Sequence, residues 1–220
     1  MTTLNSHQPT VTIIDQVEDY TFGGLFRIKR ARLRHRRFDG SMSDPLTRIC
    51  FERGDSVGVL LYDPGEDTVL LVRQFRYPVY TTLDPEERDG EGAGQAWILE
   101  LVAGVVEEDD TISQVADRES LEEAGYQVKG RLEPITTIYP SPGGTSERIH
   151  LFLGEVDEGL RAGKGGGVAS GGEDIQTVVV PLDEAMEMVA SGKIQDAKTI
   201  VALQRLVLRN FEKVGERRLR

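Results

Sequence analysis

Glu119, Glu122 and Glu123 lie at i, i+3 and i+4 in a chain of 220 residues. On a helix, at about 100° per residue, all three project from one sector. Ile112, Val115 and Ala116 occupy the same sector in the preceding turns, so the stripe begins apolar and ends acidic. A solvated face would be polar from end to end. A core face would not gather acids whose like charges repel by about 0.2–0.5 kcal/mol per pair. The pattern asks for positive charge at the helix end, most simply divalent cations. Hard ions such as Mg²⁺ favour carboxylate and carbonyl oxygens and keep positions open for water and phosphate. The competing reading is a solvated helix end with three acids on it by chance.

The flanking residues define the element that must position these acids. Thr111 followed three residues later by Gln114 is a capping box, and Gly125 is a left-handed residue just past a helix C-terminus. The spacing predicts a helix over Ile112–Ala124. A strand over Ala96–Val102 would deliver Glu100 and then the Ala103-Gly104 turn to it. Ser56–Tyr62 and Thr68–Arg76 read as a hairpin around Asp63-Pro64-Gly65-Glu66-Asp67. Arg76 at its end is a candidate phosphate fork, and Arg73 fits a wet face equally well. Thr81–Gln95, acidic and without periodicity, reads as a mobile surface loop. The segment Gly163–Gly172 is too glycine-rich to hold one conformation unaided. It leads directly into Glu173-Asp174 and a strand over Ile175–Val180. A carboxylate on such a loop can gate a site, and a bare linker is the alternative.

The remaining chain supplies the frame. Residues 1–10 read as a loose tail. Val11–Ile14, Phe22–Arg37 and Leu46–Glu52 read as strands of a small sheet with a turn at Asp39-Gly40. Its alternating Arg30, Arg32, Arg34 and Arg36, with Arg37, form a solvated strand face rather than a nucleic-acid patch. Strands are expected at Leu132–Tyr139 and Glu147–Val156. Helices are expected from Pro181 to about Ser191 and from about Asp196 to Phe211, the last buried along Ile200, Val201, Leu203, Leu206 and Val207.

Composition narrows the function classes. A formal net charge of −11, from 37 acids against 26 Lys and Arg, argues against a nucleic-acid backbone or an anionic membrane as partner. Hydrophobic residues make up 39% of the chain, enough for a sizeable core. Cys50 stands alone, so no intrachain disulfide forms and a reducing compartment is expected. The polar start lacks an apolar signal region, and no run approaches the roughly 18 apolar residues of a membrane span. The expectation is a soluble, cytoplasmic protein.

Gly104, Asp110, Arg118-Glu119, Glu122-Glu123 and Gly125 stand in the order and spacing of the Nudix box, and on these residues the chain resembles a Nudix hydrolase. Two positions depart from the pattern: Asp110 replaces glutamate, and Ser120 fills a usually apolar place. Further runs resemble the ADP-ribose pyrophosphatase and GDP-mannose hydrolase branch, from about Phe51 to Leu208. They are Phe51-Glu52-Arg53-Gly54, Arg73-Gln74-Phe75-Arg76, Glu100-Leu101-Val102-Ala103-Gly104, Ser141 through Arg148, and Glu173-Asp174-Ile175.

The resemblance implies an α/β fold, the Nudix α/β/α sandwich with a mixed sheet, plus a small N-terminal antiparallel sheet. It divides the chain into that sheet at 1–54, a hydrolase domain at 55–212 and a basic tail at 213–220. It implies a homodimer in which the small sheet is exchanged and helps to hold adenine. By the same resemblance Glu119 and Glu123 are the principal metal ligands, joined by the Ala103 carbonyl, with Glu122 in support and Arg118 orienting the carboxylates. Two or three Mg²⁺ would be bound, with Mn²⁺ as the alternative. Arg76, and after it Arg53, would clamp the diphosphate. Glu100, Gly143, Gly144 and Glu147 complete the substrate side, since the run from Ser141 lies beside the sugar-phosphate in the related enzymes. Those enzymes carry two loop glutamates one residue apart before Asp-Ile; here the earlier position is Gly171. Glu173 is therefore the first candidate for general base or further metal ligand, with Glu122 also in a catalytic role and Asp174 and Glu147 as alternatives.

The activity implied is Mg²⁺-dependent hydrolysis of a nucleoside diphosphate sugar, first of all ADP-ribose to AMP and ribose 5-phosphate. GDP-mannose is the runner-up, because Gly165-Gly166-Gly167-Val168 and Lys193 through Thr199 resemble the GDP-mannose enzymes. From a different class, a Nudix-fold module that binds a nucleotide without cutting it would normally have an eroded box. Isoprenyl diphosphate isomerase lacks support, since Cys50 lies in the N-terminal sheet region.

Overall fold

The computed structural model describes residues 10–23, 26–168 and 172–218, with the side chains of 213–218 outside that description. Most of the expected tail, and part of the glycine-rich segment including Gly171, lie outside the described residues. The chain forms two compact units, Met1–Gly54 with Ser141–Glu147, and Asp55–Pro140 with Arg148–Arg220.

The first unit holds an antiparallel sheet in the order β1 (Val11–Phe22), β2 (Phe26–His35), β3 (Leu46–Glu52). β1 is longer than the expected Val11–Ile14 and is exposed along its whole length. A strand wet on both faces carries no alternation for sequence to reveal. On β2 the arginines are exposed at 30, 32 and 34 and alternate with half-buried Ala31, Leu33 and His35, as a solvated face requires. Ser141–Glu147 attaches here: the Phe51 N–H donates to the Gly144 carbonyl at 2.8 Å, and the Ser146 N–H to the Phe51 carbonyl at 3.2 Å.

The second unit is built on a seven-stranded mixed sheet. Its strands are β4 (Ser56–Asp63), β5 (Thr68–Phe75), β6 (Trp97–Glu100), β7 (Val102–Val105), β8 (Glu133–Ile138), β9 (Ile149–Glu155) and β10 (Gln176–Pro181). The central path runs β10-β5-β4-β9-β8, with β6 on β5 and β7 on β4. Among the described strands of this sheet, only β4 and β9 pair in parallel. The expected single strand over Ala96–Val102 divides at Leu101 because its halves pair with different partners.

Successive β4 residues point to opposite faces. Val57, Val59 and Leu61 pack with Val115 and Ala116 of α3 (Ile112–Glu119). Leu60 and Tyr62 pack with residues of α4 (Leu182–Ala190) and α5 (Ala197–Arg218), including Ala185, Leu203 and Leu206. Both faces are covered, which is the α/β/α sandwich. α5 continues well past the expected end at Phe211.

The segment expected as a loop is ordered into α1 (Tyr77–Thr82), α2 (Pro85–Arg88) and a 3₁₀ turn over Glu91–Ala96. Pro85 opens α2, and Asp84 with Glu87 forms a capping box there. These turns hold no apolar stripe, so periodicity could not find them.

Candidate active site

The α3 helix starts as its sequence dictates. The Thr111 hydroxyl accepts from the Gln114 N–H at 3.3 Å, and the Gln114 side chain accepts from the Thr111 N–H at 3.1 Å. It does not stay α-helical to Ala124. Ser120 is fully buried and its hydroxyl donates back to the Ala116 carbonyl at 2.7 Å. Ser120–Ala124 then widens into a π-helical turn, closed by Gly125 at φ 79°. Hydroxyl back-bonding and a π-turn both displace side chains from the regular wheel. Glu122 and Glu123 sit in this turn, while Glu119 closes the α-helical part.

Strand β7 faces the turn. The Ala103 N–H donates to Glu123 Oε2 at 3.1 Å. Gly104 lies so close to Glu119 that a Cβ there would overlap the carboxylate. Glycine at 104 is thus set by approach of the acid. Arg118 bonds Asp110 at 3.1 and 3.2 Å and touches Glu119 at 3.5 Å, so the aspartate that departs from the box pattern anchors the arginine.

Glu123 is 4% exposed. Burial, with the charges of Glu119 and Glu173 adding to it, pushes its carboxyl up to about 8 despite the Ala103 N–H. Burial raises Glu119 as well, with Glu122 and Glu173 contributing. Glu173 therefore belongs to the same electrostatic neighbourhood; its Oε2 accepts from the Val168 N–H at 2.7 Å. A buried carboxylate flanked by further acids is the donor set of a hard divalent cation. Among the described residues, no three His, Cys, Asp or Glu side chains close around one point. The set fits ions whose remaining positions go to water, backbone carbonyl and phosphate oxygens.

Next to it stands a second charged cluster. Glu100, 2% exposed, accepts a fork from Arg76 at 2.6 and 3.0 Å and is also bonded by Lys198. Lys198 reaches Asp196 at 2.9 Å, and Asp196 caps the start of α5 through the Thr199 N–H at 3.0 Å. The Thr199 hydroxyl accepts from the Leu101 N–H at 2.8 Å, tying the strand break before Ala103 to the helix. Burial alone would raise the Glu100 carboxyl, but Arg76 and Lys198 hold it below the ordinary value. Asp196, Lys198 and Thr199 belong to the segment that resembles the GDP-mannose enzymes, but the sequence alone gives them no place beside Glu100, since a lysine reads as solvated. The Asp-x-x-Thr capping pattern was the available signal.

The structure brings Ala103, Glu119, Glu122, Glu123, Glu173 and Arg118 together, and beside them Arg76 with Glu100. Asp174 lines a cleft of about 440 Å³ with Arg73, Trp97 and Gln176. Arg53, Gly143, Gly144 and Glu147 lie in the other unit. There Arg53 sits 3.6 Å from Glu147 and 6.0 Å from the Phe26 ring centroid.

The NUDIX domain family matches residues 52–203. The chain belongs to the Nudix family. The ADP-ribose pyrophosphatase of Escherichia coli strain K12 is 41% identical over 187 residues, covering 85% of this chain and 84% of the relative. The GDP-mannose pyrophosphatase of Pectobacterium atrosepticum is 40% identical over 164 residues, covering 74% and 78%. A crystal structure of an ADP compounds hydrolase superposes with a TM-score of 0.65 at 16% identity, covering 93% of this chain and 95% of that one, a likeness of fold. Nudix pyrophosphatases use divalent metals, in accord with the donor set on the Nudix helix.

Proposed function

We propose that this Nudix enzyme hydrolyses the diphosphate bond of a nucleoside diphosphate sugar, with ADP-ribose, cut to AMP and ribose 5-phosphate, as first substrate. The observation that carries the reading is the cluster of four acids, buried Glu123 and half-buried Glu119 and Glu122 with exposed Glu173, whose nearby cations Arg118 and Arg76 are already engaged by Asp110 and Glu100. Bound Mg²⁺ ions, two or three of them, with Mn²⁺ as the alternative, would neutralise the diphosphate and acidify a water. Glu119, Glu123 and the Ala103 carbonyl would hold them. Glu173 is the group to take the proton from the attacking water, with Glu122 in support. Arg118 keeps Glu119 oriented, and Arg76, already fixed by Glu100, presents its exposed edge to a phosphate oxygen. Arg53 is assigned with Arg76 to the diphosphate, and Glu147, Gly143 and Gly144 to the sugar-phosphate.

The exposed Val11, Ile13, Ile14, Val17, Tyr20 and Phe22 of β1 support a homodimer in which the sheet at 1–54 covers a second copy while 55–212 carries the chemistry. The lone Cys50 and the acidic balance support a cytoplasmic setting; among the described residues no helix is long and apolar enough to cross a membrane. GDP-mannose is the second reading, supported by the GDP-mannose pyrophosphatase relatives and by the segment Lys193–Thr199. The test is a panel of ADP-ribose, ADP-glucose, GDP-mannose and diadenosine polyphosphates, read as phosphate released after phosphatase treatment. ADP-ribose is expected to lead, and no turnover of any nucleotide sugar would defeat the reading.

A further inference from the structure

The glycine-rich run is held by the Nudix helix. The Gly166 N–H donates to the Glu123 carbonyl at 2.9 Å, and the Gly167 N–H to the Glu122 carbonyl at 3.0 Å. These carbonyls end the π-turn and have no partner ahead of them within the helix. One residue later the Val168 N–H holds Glu173 Oε2 at 2.7 Å, and the Ile175 N–H returns to the Gly166 carbonyl at 3.2 Å. The backbone of three consecutive residues thus bonds Glu123, Glu122 and Glu173 in turn.

The strap fits only without side chains. A Cβ on Gly165 would lie 2.5 Å from the Glu123 carbonyl oxygen, and one on Gly167 would lie 2.6 Å from Glu173 Oε2. Both residues also adopt left-handed backbone, at φ 67° and 76°. Gly163 contrasts with them: its Cβ would rest at an ordinary 3.7 Å from Gly125, and its φ is not left-handed.

We propose that Gly165, Gly166 and Gly167 are positioning residues that set the Glu173 carboxylate against Glu119 and Glu123, using the C-terminal carbonyls of the Nudix helix as a template. The run would otherwise pass for a linker. The strap references the loop carboxylate to the same turn that carries the metal-binding acids. A displacement of about 1 Å in such a group can cost about a hundredfold in rate.

The inference rests on the hydrolase reading for its kinetic arm only. With ADP-ribose and Mg²⁺, Gly167→Ala is expected to lower kcat by about ten- to a hundredfold with KM nearly unchanged, while Gly163→Ala stays within about twofold. Combined with Glu173→Gln, Gly167→Ala should cost less than about twofold more, because the group it displaces is already disabled. Equal losses in both backgrounds, or equal losses for Gly163→Ala and Gly167→Ala, would overturn the proposal. The second arm needs neither metal nor substrate. In the metal-free full chain, Glu173→Ala should speed amide exchange at Val168 about tenfold and leave β4 and β5 unaffected. Unchanged exchange at Val168 would refute the strap even in a variant series that showed no turnover.

Discussion

Two buried carboxylates of the second unit, Glu100 and Glu123, are almost equally hidden and oppositely provided for. Glu100 has an arginine fork and a lysine, and the cluster it forms with Arg76, Lys198 and Asp196 sums to zero charge. Glu123 has one backbone N–H and only the through-space charge of Arg76, whose guanidinium is bonded to Glu100, while its neighbours Glu119 and Glu173 are acids. Arg118, which touches Glu119, is shared with Asp110. Burial therefore lowers the ionisation of one and not of the other, and what differs is whether the counter-charge is built into the chain. The first cluster is finished scaffold. The second is finished only by something cationic, which is what a diphosphate-cleaving site has to recruit.

Substitution should separate the two. Glu123→Gln is expected to lower kcat/KM about a thousandfold, roughly 4 kcal/mol, by removing a metal ligand. In EDTA it should leave stability equal or higher, since a buried repulsion goes with it; steady-state kinetics and urea denaturation check both. Glu100→Gln should act in the opposite sense on stability, costing about 3 kcal/mol as Lys198 and Arg76 lose a buried partner. Wild-type urea stability in that variant would erase the distinction between the clusters.

A pH titration sharpens the comparison further. The Glu123 carboxyl rises from an ordinary 4.5 to about 8 in the folded protein. Between those values the folded state holds a proton that the unfolded chain has lost, so metal-free stability should fall as pH rises through this window, by up to about 1.4 kcal/mol per unit. Saturating Mg²⁺ should flatten the slope. Glu100, held below its ordinary value, contributes stability above that value and loses it only as pH falls through its lowered one. Thermal melts across pH with and without Mg²⁺ would reveal a missing slope. The smallest expected effect is Thr199→Val, about 1 kcal/mol from the orphaned Leu101 N–H.

How much of this was legible in sequence depended on whether the cause was local. The capping box at Thr111 and the left-handed Gly125 are local, and the start and end of the box helix followed from them. The π-turn between them was not, because it depends on burial of Ser120 and on the glycine strap that bonds the last carbonyls. The central hairpin and the α5 stripe were readable because one periodicity dominates each. β1 was shortened because neither of its faces is buried, and the short helices over 77–96 were missed because they rest on caps and prolines rather than on an apolar stripe. In the site, the acids of the box could be found from their spacing. The Glu100 cluster could not be completed, since Lys198 is brought to it by α5 from far along the chain.

The account stands on the acids of the Nudix helix binding divalent cations. The direct measurement is an EPR titration of Mn²⁺ into the substrate-free full chain and into its Glu123→Gln variant. The expected result is loss of the free-ion signal with the wild type and a markedly weaker loss with the variant. Identical titrations, or no binding by the wild type, would contradict it.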